Sequence, residues 1–427
     1  MKQQFYTLLN KRKRFFIKSQ GDSMLPILKS DDFLYFKKTT FPQIGINDLL
    51  LVKKERKIFT HRVIYKSIWP SVTKPYLITK GDNNLESDGK ICPRQIIAKV
   101  TQVKRNGQVF NPESLYLLQS TLYFQEIVKI KKILEREKIN FVFLKGLPLH
   151  LYYEKKHPQR VYADCDILIA CDDVFKTKTI LINFGFRMKD APLSSRNTKL
   201  KKKDSEFSFY KKINNLLLVV FDIHVDAFFQ ISSIVASELL YSHKLIEGLS
   251  KKLLAEKQTA QIQNESFPVL LTSNLIIFLA IHFFKHNFRG EYRLAFLANV
   301  LNKNKKIDWR HIERSVKYYK LQNFVYPSFL LLNKYYAVNL PRWFISSIKP
   351  EADVLNYIRN HIMNINIFNT EVRINAGMTR FKNLFFLSPN PFWRRLMIIF
   401  NIQVIYSVFW VMIFFLRRSL NRSLRSV

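Results

Sequence analysis

The hydrophobic patterning specifies an α+β multidomain chain: a small all-β domain, then an α/β domain that runs into a helical C-terminal region. Two changes of period carry that expectation. Short β-rich runs such as "DDFLYF", "DLLLV", "HRVIY", "PYLITK" and "QIIAKVTQV", broken by Gly, Pro, Asn and Asp, fill the chain to about Phe110. The stretch "NPESLYLLQSTLYFQEIVKIKKILEREKIN" then switches to helical spacing, with Pro and Ser at its start. Next, "FVFL" reads as a strand, "GLPLHLYYE" as a helix, "DCDILIA" as a strand and "DDVFKTKTILINFG" as a helix capped by Asp. "FSFYKK" and "LLLVVFDIHV" are further strands, and from about Leu270 the chain is mostly helical. At 427 residues it exceeds one ordinary core. The expected divisions are 1–110 all-β, 111–260 α/β, 261–390 helical and 391–427 hydrophobic with basic flanks.

Composition narrows the function classes. A hydrophobic content of 48% excludes a disordered chain, and 69 basic against 32 acidic residues give a net charge of +37. Such a surface draws phosphate, RNA or anionic lipid. Cys92, Cys165 and Cys171 are odd in number and form no Cys-x-x-Cys, so a disulfide framework or zinc ribbon is not expected and a reducing cytosol fits. The N-terminus has basic residues but no continuous apolar stretch of secretory type. Leu396–Leu416 lies between Arg394-Arg395 and Arg417-Arg418 and has the length of a membrane span, with Asn401, Gln403 and Ser407 as polar interruptions. It is expected to cross the membrane or lie in its plane as an anchor.

The β-rich part holds a first constellation. Ser23 stands in "GDSMLPIL", and a serine hydroxyl needs a neighbouring base to become a nucleophile. His61 is the only histidine in the first hundred residues, and "TKGDNNLESDGK" brings Asp82 and Asp88. In order and spacing, "GDSMLPIL", Asp32, Asp48, "HRVI", "TKGDNN" and "IIAKV" resemble the signal peptidases of the archaeal and endoplasmic-reticulum type over roughly residues 20–105. That resemblance implies Ser23 as nucleophile, His61 as general base and Asp88 as the acid that orients the imidazole, with Asp82 in support and backbone N–H groups near Ser23 for the oxyanion. Asp22 stands where that family usually has glycine. The membrane helix that such peptidases carry before the serine has no counterpart here.

A second constellation follows. "FVFLKGLPLHLYYEKKHPQRVYADCDILIA" sets Lys145-Gly146 after one strand and Asp164-x-Asp166 at the start of the next. Residues two apart on a strand point the same way, so the two carboxylates converge and need a counter-charge. A divalent metal pair bridging nucleotide phosphates supplies it. Asp222 is the expected third acid, with Asp226 as the alternative. Gly146 opens a helix whose free N–H groups suit phosphate, and Lys145 adds charge beside it.

The ordered blocks "LKG", Arg160, Asp164-Cys-Asp166, Gly185-Phe186, Asp222-Ile-His224 and "AIHFFKHNFRGEYRLAFL" resemble a largely uncharacterised family of polymerase-β-type nucleotidyltransferases, over roughly residues 115–335. The resemblance implies two-metal Mg²⁺ chemistry on a nucleoside triphosphate, with Lys145, Gly146 and Arg160 on phosphate and Asp164, Asp166 and Asp222 on metal. His224 is expected to brace the carboxylates. His282 and His286 share one helix face and are expected to contact substrate or pack, since a zinc site needs a third ligand.

The combined expectation is a bifunctional enzyme, serine peptidase and nucleotidyltransferase, that trims and modifies a cytosolic peptide or protein. A regulatory protein that senses nucleotide and docks or cleaves only itself, and a transferase acting on RNA, are the alternatives. With no span between Phe110 and Pro391, both units belong on one side of any membrane, the cytoplasmic one, where triphosphates and Mg²⁺ are found.

Overall fold

The computed structural model describes residues 13–55, 57–67, 74–158, 162, 164–189, 206–213, 217–227, 237–371, 373–402 and 404–405. An 8-stranded sheet is built by β1 (Arg14–Lys18), β2 (Phe33–Lys37), β3 (Leu49–Lys54), β4 (Lys57–Lys66), β5 (Leu77–Lys80), β6 (Lys90–Ile91), β7 (Ile96–Arg105) and β8 (Gln108–Phe110). The order is β1-β2-β7-β3-β4-β5-β6, with β8 on β7 and antiparallel pairing throughout. The run "LLLV" on β3 has no polar alternation because both faces of that strand are covered. Leu49 and Leu51 join Met24, Leu28, Phe36 and Val100 on one side, while Leu50 and Val52 join Ile44, Val63, Leu77 and Ile91 on the other.

The loop before β2 is fixed by one ion pair. Arg105 donates from Nε and Nη2 to the Asp32 carboxylate at 2.7 and 2.6 Å, and Nη2 also reaches the Ile27 carbonyl at 2.7 Å. Lys29 N–H donates to the same carboxylate at 2.8 Å, so Asp32, 2% exposed, ends fully partnered. The end of β7 thereby ties down the segment that begins with Ser23.

The next unit contains α1 (Ser114–Arg136), β9 (Phe141–Lys145), α2 (Leu147–Glu154), β10 (Cys165–Ile169), α3 (Val174–Asn183), β11 (Arg187–Met188), β12 (Glu206–Ile213), β13 (Leu217–His224), α4 (His243–Ala255), β14 (Lys257–Ile262) and β15 (Glu265–Leu270). These strands form a 7-stranded mixed sheet in the order β11-β12-β13-β10-β9-β15-β14. β10 runs parallel to β13 and antiparallel to β9. The sheet therefore extends to Leu270, beyond the division expected at 260: β15 pairs with β9 at Val269–Phe143, and Phe267 stacks edge-on against Phe143 at 5.2 Å. Asp173 does not cap α3 with its side chain as expected. Its Oδ2 accepts from Asn140 N–H at 3.0 Å and so holds the entry to β9.

The helical region begins with α5 (Thr272–Lys285) and α6 (Glu291–Lys303). It continues through α7 (Trp309–Tyr318), α8 (Gln322–Tyr335), α9 (Arg342–Ser347), α10 (Ala352–Tyr357), α11 (Arg373–Leu387) and α12 (Phe392–Leu396). α5 is buried without a break from Asn274 to Phe284, as expected of a helix apolar on all sides. The β-unit docks on this region. Tyr65 packs among Tyr335, Tyr336 and Phe368, and Thr370 N–H and Oγ1 both donate to the Leu85 carbonyl at 2.8 Å. Asn369 Oδ1 accepts from Ser87 N–H and Oγ at 3.0 and 2.8 Å.

No helix among the described residues is long and apolar enough to cross a membrane. The expected anchor Leu396–Leu416 lies largely outside the described residues, as does Arg160.

Removing one partner of a buried pair leaves the other charge uncompensated, which costs about 3–5 kcal/mol. Asp32→Ala is therefore expected to lower the unfolding free energy by about that amount in urea titrations, with the loss concentrated in the β-unit.

Candidate active sites

β4 and β5 present the first site. His61, on β4, has its Nδ1 2.8 Å from Asp88 Oδ2 and its Nε2 3.0 Å from Ser23 Oγ. The three residues expected together are brought together in one line. Asp88 is itself positioned: Thr79 Oγ1 donates to its Oδ2 at 2.8 Å, and Lys54 Nζ donates to its carbonyl. The imidazole is 5% exposed and rests against the Phe59 ring at 4.7 Å. A carboxylate on Nδ1 leaves Nε2 free to accept the serine proton, which is the tautomer that nucleophilic catalysis requires.

Ser23 sits in a turn cradled by Gly81. Asn83 N–H donates to the Ser23 carbonyl at 2.8 Å, and a Cβ on Gly81 would lie 2.6 Å from that same carbonyl. Only glycine lets the two loops approach this closely. Asp82 does not touch the triad. It accepts from Arg62 Nε and Nη2 at 2.7 and 2.6 Å, and burial, set against Arg62, raises its pKa from the usual carboxylate range. Arg62 also reaches the Tyr116 hydroxyl, which connects the floor of the serine site to α1. Lys54 on β3 and Thr79 on β5 carry no local sequence signal, whereas Arg62 follows His61 directly on β4.

The second site lies where β9, β10 and β13 meet. Register places Asp166 opposite Asp222 on β13 and opposite Lys145 on β9, with a β-bulge just after Asp166. Asp164, Asp166 and Asp222 each bring a carboxylate oxygen within 4.8 Å of the others. Lys145 Nζ is 2.5 Å from Asp166 Oδ2 and 3.3 Å from Asp164 Oδ2, and His224 Nε2 is 2.8 Å from Asp166 Oδ1. Ser208 Oγ donates to Asp222 Oδ1 at 2.6 Å. Asp226 is not in the cluster.

Electrostatics separates the acids. Burial alone would raise Asp166, but Lys145 and His224 hold its carboxyl well below the usual range. Asp222 is pushed up to about 6, first by burial and then by the Asp166 charge. Lys145 is costly to bury, yet Asp166 and Asp164 lift its pKa above the ordinary lysine value. Three hard oxygen donors at this spacing, one already ionised, fit a divalent cation of the Mg²⁺ type. The bracing of Asp166 by His224 is the outer support that metal ligands carry.

Gly146 explains the Lys-Gly pair. Its φ is +110°, and a Cβ there would lie 3.2 Å from the Asp164 carbonyl and 3.3 Å from Cys165 Cα. The strand that brings Lys145 can therefore pass tightly against the strand that brings the acids. His282 and His286 lie on α5 and the turn after it, with Nε2 atoms 3.2 Å apart. Burial keeps both well below the usual histidine range, with Lys145, Arg293 and Lys285 adding to the effect. At neutral pH they are uncharged donors and acceptors among the cations Lys145, Lys285 and Arg293. Lys285, 3.6 Å from Glu206 and near Asp166 and Asp222, was not anticipated from the sequence, because Glu206 belongs to a distant strand.

Comparison with known proteins bears on the second site. A family described as uncharacterised nucleotidyltransferase matches residues 113–337. No curated protein matches the chain. Among solved structures, a lincosamide antibiotic adenylyltransferase, LnuA, with lincomycin bound is 11% identical, covering 42% of this chain and 97% of its own, with a TM-score of 0.26. An antigenic nucleotidyltransferase-like protein from Paracoccidioides brasiliensis is 10% identical, covering 52% of this chain and 94% of its own, with a TM-score of 0.28. The family match spans Lys145, all three acids of the cluster, His224 and the α5 histidines, and it begins after the β-unit ends. Over more than half its length, then, this chain belongs to the family of uncharacterised nucleotidyltransferases.

Proposed function

We propose that the chain is a Mg²⁺-dependent nucleotidyltransferase joined to a serine hydrolase of the peptidase type, and that the two act on one cytosolic peptide or protein. The convergence of Asp164, Asp166 and Asp222 around Lys145 carries the transferase half. Bound there, Mg²⁺ would neutralise phosphate charge and polarise the α-phosphoryl group. Asp164, Asp166 and Asp222 would hold it, with His224 fixing the Asp166 carboxylate and Ser208 fixing Asp222. An acceptor hydroxyl forms the new bond to the α-phosphorus and gives up its proton to solvent, while the bond to the bridging oxygen breaks, so pyrophosphate leaves. Lys145 would offset charge beside that phosphate, and the neutral His282 and His286 supply hydrogen bonds without adding charge.

The hydrolase half rests on the Ser23–His61–Asp88 line. Ser23 Oγ attacks a carbonyl carbon, His61 Nε2 takes its proton and later gives it to the leaving amine, and water releases the acyl group. The Ser23 and Met24 amides donate to nothing else among the described residues, which suits an oxyanion.

Incubation with each radiolabelled nucleoside triphosphate and candidate peptides is expected to label an acceptor in the wild type. Asp164→Asn and Asp166→Asn should each reduce the rate at least about a hundredfold. No labelling with any triphosphate counts against the transferase half. A fluorophosphonate probe is expected to tag Ser23, with the signal lost in Ser23→Ala and His61→Ala; tagging that survives either substitution removes the hydrolase half.

Metal affinity should follow the Asp222 carboxyl. Its folded pKa is raised, so protonated Asp222 favours the metal-free fold at low pH, and that contribution fades as pH rises through about 6. A cation needs the ionised form. Mn²⁺ binding followed by calorimetry is thus expected to weaken as pH falls through about 6, and an affinity flat from pH 7 to 5 would contradict the assignment.

A further inference from the structure

Asp88 reaches His61 from a turn, residues 81–88, that follows β5. The two ends of the turn are fixed within the β-unit. Asn84 N–H donates to the Gly81 carbonyl at 3.0 Å, and Asp88 N–H donates to the Thr79 carbonyl at 2.8 Å. The stretch between them, residues 85–87, has no such support. Among the described residues, none of the three forms a hydrogen bond with the β-unit, and the Leu85 side chain is 50% exposed. A turn without anchors of its own takes its shape from the surface it rests on.

That surface is residues 366–371, between α10 and α11. Asn369 Oδ1 accepts from both Ser87 N–H and Ser87 Oγ, and Thr370 N–H and Oγ1 both donate to the Leu85 carbonyl. A backbone N–H needs an acceptor, which fixes the way the Asn369 amide faces. The segment is held by the helical region in its turn. Gly290 N–H donates to the Ile367 carbonyl at 2.8 Å, Arg289 Nη1 to the Asn366 carbonyl at 3.2 Å, and Asn287 Nδ2 to the Glu371 carboxylate at 2.7 Å. Phe368 lies 5.2 Å from the Tyr65 ring of β4, the strand that carries His61. The family match ends at residue 337, so this segment lies outside the part of the chain that the family describes.

We propose that Asn369 is a positioning residue of the serine site: by holding Ser87 it sets the turn that delivers Asp88 to His61. This rests on the hydrolase function above. Asn369 bonds to neither Ser23 nor His61 and acts through Asp88 alone. An orienting carboxylate has to stay within about 0.5 Å of its productive place, and a turn released at its middle does not keep that tolerance. The hydrolase is therefore competent only while residues 366–371 are docked on the β-unit, and its activity belongs to the joined chain.

The rate at which a fluorophosphonate tags Ser23 in the full chain reads this role. Asn369→Ala is expected to slow tagging about tenfold, while Asn369→Asp, which keeps an oxygen facing Ser87, stays within about twofold of wild type. In an Asp88→Ala background, Asn369→Ala should cause no further loss, because the acid it positions is gone. Mn²⁺ affinity at the acid cluster should stay the same in every variant, which reports an intact fold. Wild-type tagging in Asn369→Ala overturns the proposal, as does an equal loss in Asn369→Asp or the same loss repeated on top of Asp88→Ala. A wild-type chain that is never tagged removes the hydrolase function, and this role with it.

Discussion

Repulsion among three carboxylates governs this chain. Asp166 is 1% exposed, faces Asp222 across β10 and β13, and has Asp164 two residues before it. Buried negative charges this close are tolerated only with positive charge or protons among them. Lys145 and His224 hold Asp166 ionised, and the strain is passed to Asp222, whose proton affinity rises. Around that arrangement the sheet is specialised: glycine at 146 for close strand passage, a bulge after Asp166, and a serine on β12 that tethers Asp222.

The β-unit uses the opposite economy, one charge-bearing line rather than a cluster. His61 lies between a hydroxyl and a carboxylate, two nearby charges are neutralised in pairs, Arg62 with Asp82 and Arg105 with Asp32, and the Lys54 ammonium rests on the Asp88 carbonyl. Pairing them keeps stray charge away from the imidazole and fixes the two loops that carry Ser23 and Asp88. The unit is not a loose appendage. Its Asp88 turn is gripped by Asn369 and Thr370, from the segment that also holds the start of α6. The serine site and the start of α6 are thus braced by one stretch of backbone.

Most of this was legible where function depends on local spacing. Asp164 and Asp166 share a strand face because side chains alternate, and Lys145-Gly146 stands out because a glycine at the end of a buried strand has no packing role of its own. The longer strands and helices from Phe33 to Ile213 follow from period, while the short strands β1, β6, β8 and β11 do not. Long-range pairing was not legible. The β14–β15 hairpin looked like the lead-in to helices, since nothing local says that Phe267 will pack on Phe143. Thr79, Ser208 and Lys285 take their importance from residues on other elements, and each by itself is an ordinary strand or helix residue.

The most direct test of the central idea, that the acids exist to hold a divalent cation against phosphate, is a crystal grown with Mn²⁺ and a non-hydrolysable triphosphate and measured at the manganese absorption edge. The account predicts an anomalous peak ligated by Asp164, Asp166 and Asp222, with the Lys145 ammonium turned from the carboxylates toward phosphate. A map with no peak at the three acids, and Lys145 still bridging Asp164 and Asp166 in the presence of ligand, would contradict it.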